Sequence, residues 1–153
     1  MKHLIICVCC LCCAGCSRSE EPHRVVLAQG KWAVELAVTE SQRYRGLSDR
    51  PSLPAGHGML FVFPSSRVLE FCMRRTLIPL DIAFLDERLE VVAIHTMFVE
   101  PYGAEMRVYS SGLSARYALE VNAGELDRAG VKVGDRAVFS QSILRTAKAA
   151  PAP

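Results

Sequence analysis

Alternation of apolar and polar residues with a period of two runs through the middle of this 153-residue chain, and it restricts the fold more than any other feature. Trp32, Val34, Leu36 and Val38 fall on one side of an extended segment and Ala33, Glu35 and Ala37 on the other, the pattern of a strand with one buried face. A turn at Gln29-Gly30 joins it to an apolar run over 25–27. Further strands are expected over 59–63, 68–73, 81–85, 89–98, 106–109, 116–121 and 136–140, with Asp86-Glu87-Arg88 as a short hairpin turn. In 89–98 both alternating sets are largely apolar, Leu89, Val91, Ala93 and Met97 against Val92, Ile94 and Phe98, which predicts a central strand covered on both faces. Helix is scarce. Thr39-Glu40-Ser41-Gln42 is a capping box and Gly46 a C-terminal stop, predicting a short helix over 40–45, and a second short turn is expected over 125–129. The pattern as a whole predicts a mainly β, single-domain antiparallel β-sandwich or barrel with one or two short helices.

The ends of the chain read differently. Residues 4–14 are Leu-Ile-Ile-Cys-Val-Cys-Cys-Leu-Cys-Cys-Ala, with Lys2 before them and Gly15-Cys16 after, which is a basic start, a short apolar stretch and small residues at a cleavage point. A membrane span needs about 20 apolar residues, more than this run supplies. The expectation is a signal peptide over 1–15. Residues 16–23 then form a polar tether, 24–142 the β domain, and 143–153, rich in alanine and ending in proline, a flexible tail.

Cysteine and charge take their meaning from that leader. Six of the seven cysteines lie at positions 7, 9, 10, 12, 13 and 16, so Cys72 has no partner within the domain and the fold must rest on its hydrophobic core rather than on disulfides. With Lys2 set aside, 17 basic residues stand against 16 acidic ones, a balance that predicts no nucleic-acid partner.

Two resemblances to known sequences add to this reading. Cys13-Ala14-Gly15-Cys16 resembles the lipobox of bacterial lipoproteins, with Cys13 where an aliphatic residue is usual. The resemblance implies lipidation at Cys16, and Ser17 after it implies sorting to the periplasmic face of the outer membrane. More than one acyl chain is needed for stable anchoring, and that is what the resemblance supplies. Arg45-Gly46-Leu47, Arg50, Gly58-Met59-Leu60-Phe61-Val62-Phe63 and the stretch from Phe71-Cys72-Met73-Arg74-Arg75-Thr76 to Asp81-Ile82-Ala83-Phe84 resemble domain of unknown function 192, DUF192. Tyr117-Ala118-Leu119-Glu120-Val121, Ala123-Gly124 and Gly134-Asp135 extend the likeness over nearly all of the domain. The family pattern Phe-Trp-Met-Lys-Asn-Thr has Cys72, Arg74 and Arg75 here in place of tryptophan, lysine and asparagine. The resemblance implies a β-rich fold and no general activity, and fold alone assigns no chemistry.

Four polar residues sit among apolar neighbours: Arg45, Arg50, Arg74 and Asp81. Asp81 interrupts Leu77-Ile78-Pro79-Leu80 and Ile82-Ala83-Phe84, which predicts burial, and a buried carboxylate needs a cation or several donors. Either Arg74 or an arginine of 45–50 pairs with it and fixes a loop, or the arginines floor a pocket for an anion, to which a guanidinium fork is suited. His57-Gly58-Met59 and His95-Thr96-Met97 offer imidazole and thioether on one side of a strand, with Cys72 and Met73 on another, a donor set that favours Cu(I). The same methionines are ordinary core filler. Cys72 as a nucleophile would need an adjacent base, and Glu70 with Asp81 as a hydrolytic pair would need a separation that sequence does not fix.

No G-x-S-x-G, H-E-x-x-H or C-x-x-C motif follows the leader, and no cofactor is expected. The leading expectation is therefore a lipid-anchored, non-enzymatic envelope domain that binds a small anionic ligand or an envelope protein through loops at 43–58 and 74–79. A soft-metal binder is second and a hydrolase third.

Overall fold

The computed structural model describes residues 22–149 other than 102 and 104. The leader, Cys16, the tether up to residue 21 and residues 150–153 lie outside the described residues. Seven strands and three helices are present among the described residues: β1 (Arg24–Leu27), β2 (Gly30–Ala37), α1 (Glu40–Arg45), β3 (His57–Phe71), β4 (Leu80–Leu85), β5 (Val91–Met97), β6 (Tyr109–Asn122), α2 (Glu125–Arg128), β7 (Val138–Phe139) and α3 (Gln141–Ala149). The fold is mainly β, one curled sheet in the order β5-β4-β6-β3-β2-β1-β7.

One pairing is parallel, that of β2 with β3, from Ala33 opposite His57 to Ala37 opposite Phe61. The connection over 38–56, which contains α1, is long enough to carry the chain back to the start of β2 before β3 begins, as a parallel pair requires. The two outer edges of the sheet are also tied together. Glu90 bridges Arg136, Val91 N–H donates to the Asp135 carbonyl and Ala137 N–H to that of Leu89, and β7 immediately afterwards pairs with β1. The open side of the curl is thus laced by the segment 134–139.

Turn-forming residues inside strands account for several differences from the periodicity. Pro64-Ser65-Ser66 and Gly112 do not end strands but interrupt their register, so 59–63 and 68–73 merge into most of β3, and β6 begins at Tyr109 and runs through Gly112. Strand β5 lies at the edge rather than the centre of the sheet. Its two apolar faces arise because both sides of the sheet are covered, with Val91 and Ile94 against one cluster and Val92 and Ala93 against the other. Chain folding also extends beyond residue 142: α3 buries Ile143 and Ala147 in the core.

Alternate residues of the inner strands supply two cores. Leu60, Val62, Ala83, Leu85, Leu119 and Val121 face a cluster closed by Leu126 of α2 and Ile143 of α3. Met59, Phe61, Phe63, Ile82, Phe84 and Ala118 face the other, closed by Leu47, Leu53 and Met73 from loops. Helices α2 and α3 seal the first face, whereas loops and α1, which buries no residue, cover the second, and this sets where a cavity can open.

Candidate functional site

The loop-covered face carries a cleft of about 860 Å³, within the usual size range of small-molecule sites. One wall is α1 with its flanks. Thr39 caps the helix, its hydroxyl accepting from Gln42 N–H while the Gln42 side chain accepts from Thr39 N–H, as the capping-box pattern predicts. Gly46 ends it at φ +50°, where a Cβ would stand 3.3 Å from the Phe61 ring, so glycine allows both the left-handed turn and the close approach. Arg43 and Arg45, in the last turn of α1, line the cleft.

The floor is aromatic. Phe71 meets Phe61 edge-on at 4.9 Å, Phe84 at 5.5 Å and Phe63 at 6.3 Å between ring centroids. Arg43 and Arg67 lie over Phe63 at 5.0 and 5.2 Å, and Arg74 lies over Tyr44 at 3.9 Å while donating to the Tyr44 carbonyl at 2.6 Å. Arg43 also donates to the carbonyls of Val38 and Val62, and burial, then the nearby charge of Arg67, lowers its pKa from the ordinary guanidinium value. Arg45 is exposed. None of these four cations forms an ion pair among the described residues; the pairs present are Arg50 with Glu35 and Arg75 with Asp49.

At the deep end stands Glu120 of β6, 6 % exposed and lining the cleft with the half-buried Cys72 and the buried Thr76. Burial alone pushes its carboxyl up to about 8. Gly58 lies beside it on β3, where a Cβ would be 2.5 Å from the Glu120 carbonyl oxygen, so only glycine permits the two strands to run this close. Sequence reasoning missed Glu120, Arg43 and Arg67. The available signal was Glu120 two positions after Ala118 on one side of an otherwise apolar strand, but without knowing what covers that side it reads as a solvent-facing acid.

The residues singled out from sequence are divided by the fold. Arg45 and Arg74 line the cleft, whereas Arg50 and Asp81 do not. Arg50 holds Glu35 through both guanidinium nitrogens, at 2.5 and 2.7 Å, and that hydrogen bonding lowers the Glu35 pKa and raises that of Arg50. Asp81 is buried without an arginine: it accepts from the Thr96 hydroxyl at 2.8 Å and from Leu126 N–H at 3.1 Å. The second bond caps α2, whose N-cap Gly124 has no side chain to do so.

The two histidines are not brought together. Register places Met59, Glu120, Ile82 and His95 across four successive strands, so the strands that carry His57 and His95 are separated by two others. His95 is held instead by the Ser110 carbonyl at 2.8 Å between the rings of Phe84 and Tyr109, and Met59 and Met97 are core residues. His57 is exposed, with its Nδ1 3.2 Å from the Ala55 carbonyl oxygen, and no cluster of three or more His, Cys, Asp or Glu able to hold a metal occurs among the described residues.

None of the curated proteins matches the chain. Two crystal structures are similar to it over most of their length. One, of a proposed transcription regulator from Sinorhizobium meliloti 1021, is 34% identical with a TM-score of 0.71, covering 78% of this chain and 94% of that one. The other, of a protein of unknown function from Novosphingobium aromaticivorans DSM 12444, is 30% identical with a TM-score of 0.68, covering 76% of this chain and 83% of that one. The family model of DUF192, described as Uncharacterized ACR, matches residues 24–139, and the chain belongs to that family.

Proposed function

We propose that this member of the family is a lipid-anchored, extracytoplasmic binding protein rather than an enzyme, tethered through Cys16 at the periplasmic face of the outer membrane and taking a small anionic ligand in its cleft. The observation that carries the binding reading is the convergence of Arg43, Arg45, Arg67 and Arg74, none in an ion pair among the described residues and together outnumbering the lining acids Glu40, Glu70 and Glu120, on one concave surface floored by phenylalanines. A guanidinium at the edge of an apolar cleft is less hydrated than one in open water and binds carboxylate or phosphate in a fixed orientation. The surrounding rings favour a ligand with an apolar body.

Cys72 provides a direct test, because it lines the cleft and is the only cysteine after residue 16. The aromatic anion para-phenylbenzoate is expected to bind to the purified protein in calorimetry and to slow alkylation of Cys72 by iodoacetamide. Unchanged alkylation at saturating probe, or binding unaffected by Arg45→Ala and Arg74→Ala together, counts against the cleft. The anchor is tested separately: mass spectrometry of protein from its native membrane is expected to show a diacylglyceryl group on Cys16, and an intact Met1 terminus refutes it.

A further inference from the structure

Buried polar side chains normally find a partner within the protein or in ordered water, so those that do not are informative. Glu120 and Thr76 are 6 % and 8 % exposed, both line the deep part of the cleft, and neither side chain hydrogen-bonds to another described residue. The Ser66 hydroxyl is the one fully enclosed side-chain polar atom without a partner among the described residues, so the polar atoms of Glu120 and Thr76 open onto the cleft instead of being sealed behind it. Nothing structural is gained by leaving a carboxyl there. The neighbours of Glu120 across the sheet, Met59 and Ile82, are apolar, and an apolar residue at its position would extend that row.

From these two unpartnered groups we infer that the buried part of the cleft is a second polar recognition point, at which Glu120 and Thr76 hydrogen-bond to a hydroxyl or carbonyl group of the ligand distinct from its anionic group. The ligand class is thereby narrowed to an anion with an apolar, ring-containing body and a neutral polar group. Each part has a counterpart in the lining: the exposed Arg45 and half-buried Arg74 for the anion, Phe61, Phe63 and Phe71 for the body, and the buried Glu120 and Thr76 for the neutral polar group. The protonation state of Glu120 agrees with a neutral partner, since burial keeps the carboxyl able to donate as well as accept near neutral pH. The hydroxyl of Thr76 likewise does both.

The inference rests on the anionic-ligand reading above, and a matched pair of probes separates the two. Para-phenylbenzoate and its analogue with a hydroxyl at the far para position differ only at the end assigned to Glu120. Calorimetric titration at pH 7 is expected to show the hydroxylated probe binding about fivefold more tightly, the effect of one hydrogen bond. Glu120→Leu and Thr76→Val should each reduce that preference without weakening the parent probe, while Glu120→Gln, which still donates and accepts, should keep it; melting curves check that each variant is folded. Equal affinity of the two probes, or a preference that survives both apolar substitutions, overturns the inner site while leaving the arginine cleft standing. Failure of both probes to bind, or binding indifferent to Arg45 and Arg74, removes the cleft reading and the inner site together, whereas failure of the hydroxylated probe alone overturns only the inner site.

Discussion

Asp81 and Glu120 stand one residue out of register on the adjacent strands β4 and β6 and project to opposite faces of the sheet, Asp81 opposite Val121 and Glu120 opposite Ile82. Both are nearly inaccessible. Asp81 lies on the helix-covered face, receives two hydrogen bonds and caps α2. Glu120 lies on the loop-covered face, receives none from the described residues and has its pKa driven up by burial to about 8. The contrast separates an acid that the fold uses from one that the fold merely tolerates, and burial alone does not tell them apart; the donors within reach do.

The largest expected effect that sharpens this contrast is in the pH dependence of stability. Below pH about 4.5 Glu120 is protonated in folded and unfolded chains alike. From there to about 8 the unfolded chain releases a proton that the folded chain retains, so the contribution of this group to stability falls steadily across that range and the loss is complete above about 8. Denaturant titrations from pH 5 to 9, about the window in question, are expected to show Glu120→Gln losing markedly less stability than the parent, with a difference of a few kcal/mol at the alkaline end. Parallel curves would mean that Glu120 is solvated and that the contrast fails.

Next in size is Asp81→Ala, which strands the Leu126 N–H in the buried face and uncaps α2. A loss of about 2 kcal/mol at pH 7 is expected in the same titrations, and a loss below about half a kcal/mol would place Asp81 with Glu120 rather than against it. In binding, Arg45→Ala is expected to weaken para-phenylbenzoate about threefold to tenfold, whereas Arg50→Ala, which breaks a pair outside the cleft, leaves it unchanged. Equal effects would show that net charge, not the cleft, attracts the anion. The smallest expected change is at Arg75, held at φ +56° beside Asp49 at +62°, with Asp49 N–H donating to its carbonyl. Asparagine tolerates the left-handed region better than arginine does, and the exposed ion pair with Asp49 is worth little, so Arg75→Asn should raise stability by about 0.5 kcal/mol in thermal unfolding.

Local chemistry was legible where it closes on itself. The capping box over Thr39 to Gln42, the stop at Gly46 and the turn before β2 all appear at the residues that predicted them, because their hydrogen bonds span only a few positions. Cleft residues were legible in part: Arg45 and Arg74 are found there, while Arg50 and Asp81 are satisfied elsewhere by Glu35, Thr96 and Leu126, partners distant in sequence.

The amino-acid order by itself determined that the chain is a mainly β domain with a short capped helix, since backbone periodicity and end-capping depend on near neighbours alone. Tertiary structure decided that β2 and β3 run parallel, that β5 is an edge, and that Glu120 rather than Asp81 opens onto the arginine-lined cleft. Alternation assigns a side chain to one of two faces, but which face is sealed by helices and which is left to loops depends on contacts between residues far apart in the chain, and that choice fixes whether a buried acid is bonded or bare.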